Sequence, residues 1–251
     1  MPDDALSSAD DCINIYVKSS IPPVKERREK TAARVGIYFK TNFPLPAQRK
    51  VLCYLAEDNL LQRYIGGPEN RGFHFPLQKE LTSWWPEDIR GLTTLVSAHS
   101  LVYLHGSTCE SELALTITLA HELQHFLQYS VRPNLWAADS LLQKLVPNVG
   151  LQAGWEAPAE MEARIVSKRV ATNLYGPDRV AAYIGERIEE AMSSRDRESW
   201  EALQSLDPLT DYDMSAETES LIRHYRQKLK SIQALPENAS LPGATLDLDV
   251  A

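Results

Sequence analysis

The sequence has few cysteines and no excess of positive charge, and both shortages exclude classes of protein. The three cysteines, Cys12, Cys53 and Cys109, are an odd number, and no two of them have the spacing of a metal-binding or redox motif. We therefore expect reduced thiols and a cytoplasmic protein. The 34 acidic side chains outnumber the 26 basic ones, which gives a formal net charge of −8. This balance gives no support for nucleic acid or an anionic membrane as a partner.

Long apolar runs are missing as well. No segment reaches the roughly 20 apolar residues that a membrane-spanning helix needs. The first residues, MPDDALSSADD, lack the basic start and apolar centre of a secretory signal. With 43% hydrophobic and 24% charged residues, the composition is that of a folded globular chain. We predict one domain over residues 11–235, with disordered segments at 1–10 and 236–251.

The order of the predicted elements indicates an α+β fold, with a small sheet in the N-terminal half and helices after it. Strands are predicted at 12–18, 34–40, 92–97 and 100–105. Helices are predicted at 46–65, 136–146, 158–175, 178–192, 195–206 and from Ser215 to about Leu235. Residues 66–91 and 147–155 are expected to form loops.

Residues 113–131, LALTITLAHELQHFLQYSV, form the most informative segment. The run predicts a buried helix, opened by a capping box from Ser107 to Glu110 and ended before Pro133, and Glu122 is its only charged residue. His121 and His125 lie one turn apart on one face, where two imidazoles can bind one metal ion and Glu122 can reach a water on that ion. The alternative is a pair of core histidines in a hydrogen-bond network. Buried carboxylates and imidazoles are costly unless they are paired, which favours a metal site.

A catalytic zinc ion needs a third protein ligand, and residues 156–168 offer three glutamates. In a helix that starts at Pro158, with about 100° per residue, Glu160 shares a face with small and apolar residues, whereas Glu162 falls on the opposite side and faces water. We therefore predict Glu160 as the ligand, with Glu156 as the runner-up. The alternative role for Glu160 is stabilisation of the helix N-terminus. His105 could also face the site, or it could be satisfied by the backbone at its strand end.

The HELQH motif, followed by a helix with Glu160 and Ala163, resembles the zincin metallopeptidases that use a glutamate as third ligand, the gluzincins. The Glu-x-x-Ala part of their second motif is present, whereas Arg164 stands where an acidic or amide residue is common. The chain is also similar to the compact cytoplasmic peptidases of the ImmA/IrrE type, although their Leu-Met-Pro ending is absent. The resemblance covers about residues 100–175.

The resemblance implies a zinc-dependent metallopeptidase that hydrolyses a peptide or protein substrate. His121, His125 and Glu160 would bind Zn²⁺, and Glu122 would act as general base. Four residues remain candidates for stabilising the oxyanion: Tyr129, Tyr175, Tyr183 and His105. The predicted strand 100–105 could bind an extended peptide by strand addition.

Two other functions stay open. One is a zinc-stabilised binding or regulatory module without catalysis, and the other is a helical interaction protein without a metal. The sequence does not fix the substrate or the oligomeric state.

Overall fold

The computed structural model describes residues 12–59, 71–77, 85–139, 157–191 and 193–231, and the predicted α+β architecture is confirmed. The strands are β1 Ile13–Val17, β2 Val51–Leu55, β3 Gly72–Pro76 and β4 Ser100–Leu104. The helices are α1 Pro22–Asn42, α2 Glu87–Leu95, α3 Glu112–Val131, α4 Pro158–Tyr175, α5 Pro177–Glu189, α6 Ser194–Ser205 and α7 Met214–Ser231. Residues 133–139 are also helical. The predicted terminal segments 1–10 and 236–251 and the predicted loop 147–155 lie outside the described residues.

The sheet is mixed and has the strand order β1-β2-β4-β3. Strands β1, β2 and β4 run parallel, and β3 pairs antiparallel with β4. Every residue of β2 and β4 is buried, because helices cover both faces of the sheet. Alternate side chains therefore enter two different apolar clusters.

Three apolar clusters hold the helices in place. The first lies between one face of the sheet and the helices α1, α3 and α4, and the second lies between the other face and α2. The third joins α3 and α4 to α5 and α6. Helix α3 contributes to the first and the third cluster, so it separates the sheet from the C-terminal helices. None of the helices in the described part of the chain is long and apolar enough to cross a membrane.

The strand predicted at 34–40 is wrong, because these residues belong to α1. Val35 and Phe39 are fully buried, whereas Ile37 between them is 63% exposed. Burial that recurs every four residues is the period of a helix. The β-branched and aromatic composition of this segment therefore misled the prediction.

The helix predicted at 46–65 is also wrong in its described part, because Val51–Leu55 forms β2. A strand buried on both faces has a continuous apolar run without alternation, and such a run cannot be distinguished from a buried helix by periodicity.

The strand predicted at 92–97 and the loop predicted at 66–91 need correction too. Residues 92–95 complete α2, and the described residues of the loop include β3 and the start of α2. The sequence did contain a signal for the start of α2, because Glu87 and Asp88 follow Pro86 and place two carboxylates in the first turn of the helix.

The predicted helices around the motif are confirmed, with different caps. Helix α3 begins after Ser111, whose hydroxyl accepts a hydrogen bond from the Ala114 backbone N–H, and the predicted capping box at 107–110 is instead part of a 3-10 turn. Gly176 ends α4 with a positive φ of 87°. Ser215 was the predicted N-cap of α7, but the helix begins at Met214 and the carboxylate of Asp213 caps it, two residues earlier. Of the helix predicted at 136–146, residues 136–139 are helical and the rest lies outside the described residues.

Candidate metal centre

Helix α3 places the two histidines and Glu122 against the body of the protein. His121 is half-buried, whereas Glu122 and His125 are buried. The two imidazoles stack edge to face, with 4.6 Å between ring centroids, and their Nε2 atoms are 3.0 Å apart. The one-turn spacing read from the sequence therefore brings two potential ligand atoms to one point.

Helix α4 supplies the third group, Glu160, from its first turn. Pro158 starts the helix, and the N-cap residue Ala157 has no side chain that can accept a hydrogen bond. The buried carboxylate of Asp139 fills that role instead, because it accepts from the Ala159 backbone N–H at 3.1 Å. Glu160 is therefore not needed as a cap, and its side chain lies toward α3.

The three groups meet closely. One carboxylate oxygen of Glu160 lies 3.3 Å from His121 Nε2, and the other lies 3.3 Å from His125 Nε2. Ligands bound tetrahedrally at about 2.0–2.1 Å from one ion are about 3.3 Å apart, so separations of this size suit a zinc-sized ion. One ligand atom from each residue lies within 4.8 Å of the others, and the set could hold a metal ion. That these residues bind metal stays a prediction.

The opposite charges of His125 and Glu160 stabilise each other. Burial would lower the pKa of His125, but the charge and hydrogen bond of Glu160 outweigh it and raise that pKa to about 9. Burial would raise the pKa of Glu160, yet the charge of His125 and hydrogen bonds from both imidazoles hold that pKa well below its usual range. The proton on His125 Nε2 is the one that metal binding must displace.

Glu122 lies beside these three residues, and the pKa of its carboxyl is raised, unlike that of Glu160. Burial raises the pKa of its carboxyl, although the neighbouring His121 and His125 oppose the shift. The backbone N–H of His74 donates a hydrogen bond to the same carboxyl. A carboxyl with a raised pKa can accept a proton near neutral pH more readily than an exposed glutamate.

Glu162 does not face water, and that prediction is wrong. Only 8% of the residue is exposed. Its carboxylate accepts hydrogen bonds from Gln124 and Gln128 at 2.8 Å each and from Arg132 at 2.9 Å. The face argument failed because the partners of Glu162 are polar groups on α3 and at its C-terminal end, which hydrophobic periodicity cannot detect.

Gln128 connects this network to His125. Its amide nitrogen donates to Glu162 and to the Ala159 carbonyl, so its oxygen must be the atom that faces His125 Nδ1 at 2.8 Å. His125 Nδ1 therefore carries a hydrogen and donates it. In the neutral imidazole this leaves the Nε2 lone pair free, which is the tautomer that a metal ligand at Nε2 requires.

Two cavities border the group of histidines and glutamates. Their volumes are about 210 and 330 Å³, and both are lined by Gly72, His121, Glu122 and Glu160. The smaller cavity extends toward α6, and the larger extends toward His74 and Trp136. Strand β3 contributes to both walls. Gly72 lets β3 approach α3 closely, since a methyl group on it would lie 3.0 Å from the side chain of Thr118.

His74 is a residue at this site to which no sequence pattern assigned a role. Its ring lies against Phe126, Tyr129 and Trp136. Burial lowers its pKa to about 3, and neither ring nitrogen has a hydrogen-bond partner among the described residues. The alternation of apolar residues in GFHFP was the signal for the strand that carries His74.

None of the four oxyanion candidates lines either cavity in the described part of the chain. Tyr129 packs behind His74 and Trp136, and Tyr175 is held between two arginines with its hydroxyl bonded to Thr116. Tyr183 packs on Trp200. His105 is fully buried beside Phe73 and Tyr103, and burial lowers its pKa. Glu156, the alternative third ligand, lies outside the described residues.

The strand predicted to bind an extended peptide cannot do so. Ser100–Leu104 forms β4, which is paired with β2 on one side and with β3 on the other. In the described part of the sheet the outer strand next to the site is β3.

Comparison of the chain with protein-family models, curated proteins and solved structures gives no match.

Proposed function

We propose that the protein is a zinc-dependent metallopeptidase. The observation that carries the proposal is the convergence of His121, His125 and Glu160 within 4.8 Å, next to a buried glutamate with a raised pKa and two cavities. His121, His125 and Glu160 would hold the zinc ion, and a site with three protein ligands would leave a position for a water molecule or the substrate. When bound, the zinc ion would supply Lewis-acid activation of a water molecule and of the substrate carbonyl.

The residues of this chain would then perform the proton transfers. Glu122 accepts the proton of the attacking water and delivers it to the departing amine nitrogen. The hydrogen bond from the His74 backbone N–H orients the carboxyl. Gln128, held by Glu162, keeps His125 in the tautomer that a zinc ligand needs.

Strand β3 favours a peptide as substrate. It is one of the two outer strands of the described sheet, and its residues Gly72, Phe73 and His74 line the larger cavity beside the proposed ligands. An extended peptide could bind along such a strand through backbone hydrogen bonds.

The test is the substitution Glu122→Gln, which keeps the size of the side chain and removes the base. We expect the variant to retain zinc and to fold normally, while its hydrolysis of peptides falls by about 10²-fold or more. Zinc content and cleavage of a mixed peptide library, followed by mass spectrometry, should be measured on the same samples. Glu112→Gln in the first turn of α3 is the matched control and should change neither.

Two results would contradict the proposal. Cleavage by the wild type that persists undiminished in Glu122→Gln would exclude the mechanism. A zinc-loaded wild type that cleaves no peptide of the library would favour the non-catalytic binding module.

A further inference from the structure

The smaller cavity connects the proposed metal site to a pair of arginines. It has a volume of about 210 Å³ and runs from His121, Glu122 and Glu160 toward Arg71 and Arg164. Its remaining described lining residues are Gly72, Ile117, Thr118, Ser167, Ser199, Trp200 and Leu203. Two guanidinium groups thus lie in one cavity that opens at the site of the proposed reaction.

Arg164 has unused hydrogen-bonding capacity there. Its Nη2 donates to the Ser199 hydroxyl at 3.3 Å, whereas its Nη1 is buried without a hydrogen-bond partner among the described residues. A buried N–H group of a charged side chain without a partner is costly, and such groups are rare. Burial lowers the pKa of Arg164, Glu160 opposes the shift, and the neighbouring Arg71 adds to it. The unpartnered Nη1 shows that, among the described residues, no carboxylate is hydrogen-bonded to this side of the Arg164 guanidinium.

Arg71 is already paired. Its Nη2 lies 2.6 Å from a carboxylate oxygen of Asp196, and its guanidinium lies 4.0 Å from the centre of the Trp200 ring. Asp196 therefore balances the charge of Arg71 and fixes the position of its guanidinium. It does not supply the anion that Arg164 lacks.

The negative charge of Glu160 is already paired with the two imidazoles, so it does not serve as the partner of Arg164. Each of its carboxylate oxygens faces one imidazole, and both would face the divalent ion of the proposed function. With a divalent ion bound, Arg164 would give the cavity a surplus of positive charge, in surroundings where burial strengthens electrostatic attraction.

The other lining residues of the cavity indicate which anionic group it could bind and what that group is attached to. Ile117, Leu203 and the Trp200 ring are apolar, and the Ser199 hydroxyl can donate a hydrogen bond. A guanidinium with a free N–H and a nearby hydroxyl suits a carboxylate, and the apolar walls suit a short aliphatic stem.

We propose that this cavity is a specificity subsite that binds a carboxylate group of the substrate next to the scissile bond, through Arg164. The inference rests on the proposed function and names the substrate class: peptides with an acidic side chain or a free C-terminal carboxylate close to the cleaved bond. Both sources present the same chemistry to the guanidinium, and the experiment distinguishes them.

The test measures binding rather than turnover. The probes of the zinc-loaded protein are three dipeptides whose N-terminal amine is acylated by a group that carries a hydroxamate. One contains Glu and has an amidated C-terminus, one is its Gln counterpart, and one is the Gln counterpart with a free C-terminal carboxylate. Isothermal titration calorimetry should show that one of the two carboxylate probes binds at least about tenfold more tightly than the neutral probe. The tighter of the two identifies the source of the carboxylate.

Variants assign the preference to the cavity. Arg164→Gln should bind all three probes equally, whereas Arg197→Gln on the exposed face of α6 should keep the preference of the wild type. Should Arg164→Gln not fold, Ser199→Ala is the smaller change, and it should reduce the preference several-fold.

Equal binding of the three probes to the wild type would overturn the inference and leave the metal site standing. A preference that survives in folded Arg164→Gln would overturn it as well. A protein that holds no zinc would overturn the proposed function and this inference together.

Discussion

Glu162 shows how the surroundings of one residue decide its contribution. Its carboxylate accepts hydrogen bonds from Gln124 and Gln128 on α3 and from Arg132, the residue that follows the end of α3. Removal of a buried partner in such a network leaves the other polar groups without acceptors. We expect Glu162→Ala to lower the free energy of unfolding by about 2–4 kcal/mol, measured by urea denaturation.

A control separates this effect from the general loss of a carboxylate. Glu198 is exposed on α6, and Glu198→Ala should stay within about 0.5 kcal/mol of the wild type. Equal stability of Glu162→Ala and Glu198→Ala would contradict the network described here.

Gln128 gives a second prediction for a single residue, because it orients His125 without reaching the proposed metal. Gln128→Met keeps the length of the side chain but removes the acceptor for His125 Nδ1–H and the donor to Glu162. We expect zinc affinity to fall by about 10- to 100-fold, as for other residues that orient a ligand. Competition for zinc with a chromophoric chelator measures this affinity. Unchanged affinity in the folded variant would show that packing alone orients His125.

At the scale of elements, the fold was predictable from the sequence where burial has one clear period or a clear stop signal. Helix α4 was predicted with its observed boundaries, because Pro158 starts it and Gly176 ends it. Residues 34–40 of helix α1 and all of strand β2 were assigned to the wrong type of element. In both, the deciding fact is which faces the rest of the protein covers, and a short sequence window does not contain that fact.

The same limit explains what was predictable of the candidate site. The HELQH spacing placed His121 and His125 together, and the helix phase placed Glu160 toward them. Gln128 lies three residues after His125 on α3, but its contacts with Glu162 and Ala159 join segments that are distant in the sequence, as does the approach of His74 and Arg71 to the site. No local pattern marks such contacts, so the network around His125 and the second arginine of the cavity became visible only in three dimensions.

The connection between β4 and α3 depends on close packing at Gly106. A methyl group on this glycine would lie 2.7 Å from the carbonyl carbon of Glu57, which is backbone and cannot turn aside. We expect Gly106→Ala to lower the free energy of unfolding by at least about 2 kcal/mol, because the turn that leads into α3 would have to shift.

Gly185 in α5 provides the opposite control for the same measurement. Nothing lies within 4 Å of a methyl group placed there, and the residue is inside a helix. Gly185→Ala should therefore raise the stability by about 0.5–1 kcal/mol. If both alanine variants changed stability in the same direction, the packing described at Gly106 would be wrong.

At the scale of the whole molecule, α3 joins the sheet to the C-terminal helices and also carries the candidate metal site. Its apolar residues enter the clusters on both sides, while its polar residues face the first turn of α4 and β3. The walls of the two cavities therefore come from both parts of the fold. A metal ion held between α3 and α4 would connect these parts directly and would add to the stability of the folded state.

Elemental analysis of the purified protein after extensive dialysis tests the central claim most directly. The account predicts about one equivalent of zinc per chain in the wild type and its loss in His121→Ala and in His125→Ala, because each imidazole supplies one of only three protein ligands. Circular dichroism of the same samples should show that both variants keep their helical content. A wild type without bound metal, or full retention of zinc by both folded variants, would contradict the account.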